Sequence, residues 1–323
     1  MKIIVDAMGG DNAPEEIVKA SIEATKKLDV EVILVGDISS IEKCLNGYSE
    51  KITVIHTTEV ITCEDDPATS IRTKKDSSIV VGMQMLADGK GDAFVSAGSS
   101  GALVSGATLV VKRIKGIRRV AMAPLIPTNG KPTLLIDGGA NADCTPEFLE
   151  QFAIMGSAYA KAVLGVEHPK VGLLNNGLEE TKGNELVKQS YNLISLLPLN
   201  FVGNVEARDV PQGIVDVLVA DGFSGNIFLK TMEGTAIYFS KNLKAILTKN
   251  ILTKICALLL SGGISTLRKK FDYNEHGGAP ILGANGVVIK AHGSSNSLAF
   301  FNAIRQAKKF TETKVIDAIK NSI

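Results

Sequence analysis

His292, in Ala291-His292-Gly293-Ser294-Ser295-Asn296, is the histidine best placed for proton transfer, because imidazole titrates near neutrality and the segment follows a strand-like run. A loop histidine satisfied by backbone is the plainer alternative. Ala220-Asp221-Gly222-Phe223-Ser224-Gly225-Asn226 has the same form, with Asp221 and Asn226 as its polar residues. Ser96-Ala97-Gly98-Ser99-Ser100-Gly101-Ala102 combines small residues with hydroxyls ahead of a helical pattern. Its amides, at Gly98, Ser99, Ser100 and Gly101, suit a phosphate or another small anion, or else simply cap the helix. It is neither G-x-G-x-x-G nor a P-loop, so ordinary dinucleotide or nucleoside triphosphate binding is not indicated. Lys182 lies among Asn175, Gly183 and Asn184, where it suits an anion, although a lone loop lysine is commonly just solvated. Asp6 and Asp11, then Asp137 and Asn141, sit in Gly-rich turns where carboxylates and amides most often anchor loops. Asp137 and Asp143 without a further clustered ligand make a weak case for a divalent metal, and none is expected. There is no G-x-S-x-G elbow, and Cys144 has no evident partner for thiol chemistry.

These segments need strands and helices to position them. Apolar runs mark strands near 2–6, 31–36, 52–56, 92–96, 121–126, 133–137, 170–174, 201–205, 216–220 and 286–290. Helical patterns fall near 14–28, 39–46, 77–88, 100–112, 146–164, 183–196, 224–247 and 295–310. Such alternation predicts βαβ units around a mostly parallel sheet, with ligands bound where strands end and helices begin. No linker or internal repeat divides the chain, so residues 1–323 read as a single α/β catalytic domain.

Composition narrows the function class. Hydrophobic residues make up 45% of the 323, charged residues 21%, and the net charge is +1, which excludes wholesale disorder. No global positive field is available for nucleic acid. Glycine reaches 31 residues and tryptophan is absent, a mix that suits parallel strands joined by tight loops. The four cysteines show no metal spacing and point to a reducing compartment. With a strand starting at Lys2 and no apolar run of spanning length, a cytoplasmic protein is expected.

One stretch departs from the rest. Residues 241–270 hold Lys241, Lys244, Lys249, Lys254, Arg268, Lys269 and Lys270 without a carboxylate. Ile255, Leu258, Leu259, Leu260 and Ile264 lie among them. Gly262-Gly263 is expected to break residues 240–271 into a helical hairpin whose apolar tip and basic rim suit an anionic membrane surface, or a contact between subunits.

Taken in order, Asp6-Ala7-Met8-Gly9-Gly10-Asp11, the Ser96–Ala102 segment, Glu180-Thr181-Lys182-Gly183-Asn184, Asp221–Asn226 and His292-Gly293-Ser294-Ser295 resemble one family, the PlsX-type phosphate acyltransferases. The resemblance runs over nearly the whole chain. It departs at Asn175-Asn176-Gly177-Leu178-Glu179-Glu180, where the family pattern has a third acidic residue in place of Leu178. The resemblance implies a three-layer α/β/α fold similar to phosphotransacetylase and isopropylmalate dehydrogenase, and a homodimer. It implies transfer of a long-chain acyl group from the thioester of acyl carrier protein to inorganic phosphate, without a cofactor. The acyl phosphate would pass to a membrane glycerol-3-phosphate acyltransferase for phospholipid synthesis.

Phosphate dianion is already nucleophilic and a thiolate leaves readily, so such an enzyme needs alignment, an anion cradle and an oxyanion donor. On this expectation Lys182 binds phosphate with the Ser99-Ser100-Gly101 amides, helped by Asn175, Gly183, Asn184 and Ser294. Asn226 or His292 donates to the carbonyl oxygen or protonates the thiolate, and Asp221 orients Lys182 or a loop. The basic run Lys112, Arg113, Lys115, Arg118 and Arg119 is either a docking patch for the acidic carrier or a solvated turn. Two other classes compete: a fold-related NAD-dependent oxidoreductase acting on a hydroxy acid with a divalent metal, and a non-catalytic scaffold at the membrane.

Overall fold

The computed structural model describes residues 1–264 and 277–323. Its strands fall into two sheets rather than one. The first has the order β3-β2-β1-β4-β12-β11-β5, from β1 (Lys2–Asp6), β2 (Glu31–Gly36), β3 (Ile52–His56), β4 (Ala93–Ser96), β5 (Ala121–Met122), β11 (Ala279–Leu282) and β12 (Val287–Lys290). The second has the order β6-β7-β10-β8-β9, from β6 (Leu125–Ile126), β7 (Thr133–Ile136), β8 (Lys170–Asn175), β9 (Asn200–Glu206) and β10 (Val217–Val219). Pairing is parallel from β3 through β12 and from β7 through β9. The antiparallel strands are β11, β5 and β6.

The central strands β1, β4, β7 and β10 are buried almost throughout, as unbroken aliphatic runs such as Ile3-Ile4-Val5 and Leu134-Leu135-Ile136 require. Helices cover the sheets: α1 (Glu15–Lys27), α2 (Ile38–Leu45), α3 (Pro67–Thr73), α4 (Ser78–Ala87), α5 (Ser100–Gly106), α6 (Pro146–Leu164) and α7 (Glu185–Ser195). After them come α8 (Gly222–Leu247), α9 (Ile251–Leu259), α10 (Ser297–Glu312) and α11 (Val315–Lys320). Phe152 and Tyr159 of α6 and Phe300 and Phe310 of α10 belong to one large buried cluster that includes residues of both sheets.

Four local readings of the sequence need correction. The strand expected over 121–126 is two, because the chain leaves the first sheet after β5 and enters the second at β6, with Ala123-Pro124 between them. Pro124 cannot donate to a ladder, which suits a crossing point. Strand β11 escaped notice because Pro280 interrupts its pattern, yet proline is tolerated in this short antiparallel strand. The helix expected over 100–112 passes from α5 into a π-helical stretch, Ala107–Val111.

The arm breaks at Thr248–Asn250, not at Gly262-Gly263, which lie in a helical turn. Asn250 starts α9 with a capping box: its Oδ1 accepts from Thr253 N at 2.9 Å, and Thr253 Oγ1 accepts from Asn250 N at 3.0 Å. The remainder of the expected hairpin, with Arg268, Lys269 and Lys270, lies outside the described residues.

Candidate active site

At the first sheet, loops after β1, β4 and β12 are tied together at the strands' C-terminal ends. Asp6 is fully buried; its Oδ1 accepts from Met8 N at 3.0 Å and Gly9 N at 3.1 Å, and its Oδ2 from Ser96 Oγ at 2.6 Å. Burial raises its pKa, against the lowering effect of those bonds. Ser96 Oγ also receives the amide of Gly98 at 2.9 Å, so that amide is already used. A Cβ on Gly9 would stand 2.3 Å from Asp6 Oδ2 and 2.7 Å from Gly98 N, which is why only glycine fits there. Asp11 N donates to Gly293 O at 2.8 Å, and Asn12 Nδ2 to Ser295 O at 3.1 Å.

The second sheet repeats the device. Asp137 Oδ1 accepts from Met122 N, Gly139 N and Ala140 N, and its Oδ2 from Asn141 N and Nδ2, all between 2.7 and 3.1 Å. Asn141 O in turn receives Gly222 N at 2.8 Å, which docks the start of α8 on this turn. Asp221 is the N-cap of α8, its carboxylate accepting from Ser224 N at 2.9 Å. Gly139, at φ +129°, lies against Asn226: a Cβ there would sit 3.3 Å from the Asn226 side chain. Beyond β8, Asn175 Nδ2 holds the carbonyl of Lys182 at 3.1 Å, and Asn184 caps α7 by accepting from Val187 N at 3.0 Å. Lys182 itself is exposed.

Between the two loop systems lies a cavity of about 410 Å³. Ser100, Lys290, Ala291 and His292 line it from the first sheet, and Asn226, Lys230 and Glu233 from α8. Met122, Pro124, Leu125, Ile126 and Pro127, where the chain crosses between the sheets, form an apolar wall, continued by Leu229, Met232 and Ile237 of α8. Of the residues expected to act, Ser100, Asn226 and His292 meet here. Lys182, Asn175, Gly183 and Asn184 are not among the lining residues, nor are Gly98, Ser99, Gly101 and Ser294. Gly101 packs tightly: a Cβ would stand 2.6 Å from Pro67.

Ser294 N donates to His292 Nδ1 at 3.2 Å, so the neutral ring carries its proton on Nε2. Burial, followed by the Lys230 charge, lowers the His292 pKa, which keeps the ring neutral at pH 7 and a donor through Nε2. The sequence reading missed Lys290 and the pair Lys230–Glu233, whose Nζ and Oε2 are 2.7 Å apart. The available signal for Lys290 was a charge closing an otherwise aliphatic strand, Val287-Val288-Ile289. Among the described residues no group of three His, Cys, Asp or Glu is placed to hold a metal.

The sequence profile of the fatty acid synthesis protein family matches residues 1–318. The chain belongs to this family. It is 52% identical over its whole length to a phosphate acyltransferase of Thermoanaerobacterium thermosaccharolyticum, covering 97% of that protein, and 48% identical to one of Clostridium acetobutylicum, covering 99%. Among solved structures, a phosphotransacetylase from Streptococcus pyogenes superposes with a TM-score of 0.64 at 18% identity, over 98% of this chain and 94% of that one. A 4-hydroxythreonine-4-phosphate dehydrogenase from Klebsiella pneumoniae does so with 0.57 at 13%, over 96% and 99%. These two share the α/β fold, with mostly parallel sheets flanked by helices.

In this member of the fatty acid synthesis protein family the basic run lies away from the cavity. Val111, Ile114, Ile117 and Val120 are buried and the five cations between them exposed. Ile114 N bonds Gly283 O and Asn285 N bonds Lys112 O, which places the run at the end of the β11–β12 hairpin opposite Lys290. Arg119 lies over the Phe148 ring, 5.5 Å from its centroid. The arm leaves the body after the first turns of α8, whose buried residues are Gly222, Gly225 and Phe228. Ile251, Leu252, Ile255, Leu258, Leu259 and Leu260 are all more than half exposed, and Ile264 is partly buried.

Proposed function

We propose that this chain transfers a long-chain acyl group from the thioester of acyl carrier protein to inorganic phosphate. What carries the reading is a cavity with two characters: Ser100, Asn226, Lys290 and His292 at one end, and an apolar wall of Met122, Leu125, Ile126, Met232 and Ile237. Its volume falls within the ~300–1,000 Å³ usual for small-molecule sites. An acyl chain lies along the apolar wall and presents its carbonyl to the polar end. A phosphate oxygen forms the new O–C bond, the C–S bond breaks, and the thiolate takes a proton. Asn226 Nδ2 donates to the carbonyl oxygen as it gains charge, while neutral His292 steadies the leaving sulfur with a hydrogen bond from Nε2, and the thiolate takes its proton from water. Ser100, at the start of α5, faces the phosphate. Lys182 adds positive charge from the exposed loop beyond β8. The acyl phosphate then supplies a membrane glycerol-3-phosphate acyltransferase.

We propose further that the arm rests on an anionic bilayer. The exposed aliphatic residues of α9 enter the headgroup layer while Lys241, Lys244, Lys249 and Lys254 face lipid phosphates. Among the described residues no helix is long and apolar enough to cross a membrane. The protein works as a homodimer on this reading.

The deciding experiment incubates the purified chain with palmitoyl-acyl carrier protein, with and without phosphate. It follows thiol release and traps acyl phosphate with hydroxylamine. Phosphate-dependent release with a trapped product is expected. Asn226→Ala should lower turnover by roughly 10²–10³-fold, the usual loss for an oxyanion donor. Lys182→Ala, on an exposed side chain, should cost at least about tenfold in turnover and within ~0.5 kcal/mol in stability. Thiol release indifferent to phosphate would instead mark a thioesterase.

A further inference from the structure

We infer that Lys290 is the cation that seats the nucleophilic phosphate in the cavity, an inference that rests on the acyl-transfer reading above. Lys290 closes β12, where it pairs with Ser96 of β4, and it follows three buried aliphatic residues in the middle of the first sheet. A charge at the end of a central strand is costly to desolvate unless something in its surroundings compensates. Its Nζ donates to the carbonyls of Ala97, at 3.4 Å, and Ala291. An ammonium has three protons, so one remains for a ligand. Among the described residues no carboxylate lies within 4.0 Å of that Nζ, whereas the neighbouring Lys230 is already paired with Glu233. The carbonyls orient the ammonium without neutralising it.

Glu233, the carboxylate that lines the cavity, is held by Lys230, and Asp6 and Asp11 act from a distance, so direct compensation falls to what enters the cavity. Ser100, Asn226 and His292 share that space, and none of them is anionic. A small oxyanion that accepts several hydrogen bonds fits this donor set, and inorganic phosphate is the one the reaction requires. Burial above all, aided by Lys230 and opposed by Cys63, Asp11 and Asp6, brings the Lys290 pKa down to about 8. These groups come from α8, from the loop after β3, and from β1 and the loop after it, and titratable His292 and Glu233 complete the surroundings. At pH 7 the ammonium persists and is available to the dianion. As pH rises through about 8 the proton leaves and the attraction goes with it. A bound dianion favours the charged form, so phosphate moves that loss to higher pH.

The test is titration calorimetry with inorganic phosphate alone, run beside steady-state kinetics on wild type, Lys290→Met and Lys290→Arg. Lys290→Met is expected to weaken phosphate binding at least tenfold and to raise the phosphate KM in parallel, with the acyl-thioester KM unchanged. Wild type should lose phosphate affinity above pH 8, and Lys290→Arg, which stays charged, should not. Wild-type phosphate affinity in Lys290→Met, or no phosphate binding by wild type, overturns the assignment. So does the same alkaline loss in Lys290→Arg, which remains the deciding variant if Lys290→Met fails to fold by circular dichroism. Phosphate binding that depends on Lys290 in a chain without acyl transfer would remove the proposed reaction and keep the site. Transfer with an unchanged phosphate KM in Lys290→Met would do the reverse.

Discussion

At Cys144, burial works against chemistry. Desolvation pushes the thiol pKa up to about 12, and its Sγ lies 3.5 Å from Asn141 O, so almost no thiolate forms at neutral pH. Cys63 and Cys256 are exposed. Iodoacetamide at pH 8, followed by peptide mass spectrometry, should therefore modify Cys63 and Cys256 and leave Cys144 intact in the native chain; equal labelling of Cys144 and Cys63 would contradict this. Residues at this scale were legible in the sequence when they followed a strand. Ser100, Asn226 and His292 each open or precede a helix just beyond an aliphatic run, and each lines the cavity. Lys290 belongs to the aliphatic run itself, so periodicity assigns it to the strand and gives no hint that its end faces a cavity. Lys182 reads in sequence much as Lys290 reads in space, yet its side chain is on an exposed loop outside the lining. Loop direction depends on tertiary contacts, such as Asn204 Nδ2 to Glu179 O at 2.9 Å, that no local pattern encodes.

Among the elements, α8 does two jobs and Asp221 governs its start. The carboxylate caps the helix, while Gly222 and Gly225 approach the Asn141 and Asp137 backbone so closely that a Cβ would sit 2.4 and 2.0 Å from their carbonyl oxygens. Asp221→Ala should lower stability by about 0.5–2 kcal/mol and slow turnover by loosening Asn226, one turn on. Asp221→Asn keeps a capping oxygen and should retain most of both. Urea unfolding with thiol-release rates checks this, and an inactive but stable Asp221→Asn would assign the carboxylate a chemical role instead. The boundaries of α1, α6 and β1 were readable from period and capping chemistry. The arm's break was not, because Gly262-Gly263 is the stronger local breaker while Asn250 and Thr253 act through side-chain hydrogen bonds.

For the molecule as a whole, the two-sheet arrangement was hidden because it rests on long-range pairings such as β12 with β4 and β11 with β5. Class and strand alternation were readable; the partition of strands was not. The arm tests the whole-molecule reading. Lys249→Glu with Lys254→Glu should reduce flotation with phosphatidylglycerol vesicles at least tenfold, since each cation contributes about 1 kcal/mol near such a surface, and high salt should do the same to wild type. Unchanged flotation would detach the arm from lipid. The crossing segment, Met122 to Pro127, has a consequence of another kind. It joins the two sheets and also walls the cavity, so a molecule that fills the cavity presses on the joint from inside. Occupancy at about 100 times the dissociation constant adds roughly 2.7 kcal/mol to folding. The chain is therefore expected to resist proteases longer as the cavity fills, and limited proteolysis with and without inorganic phosphate checks it.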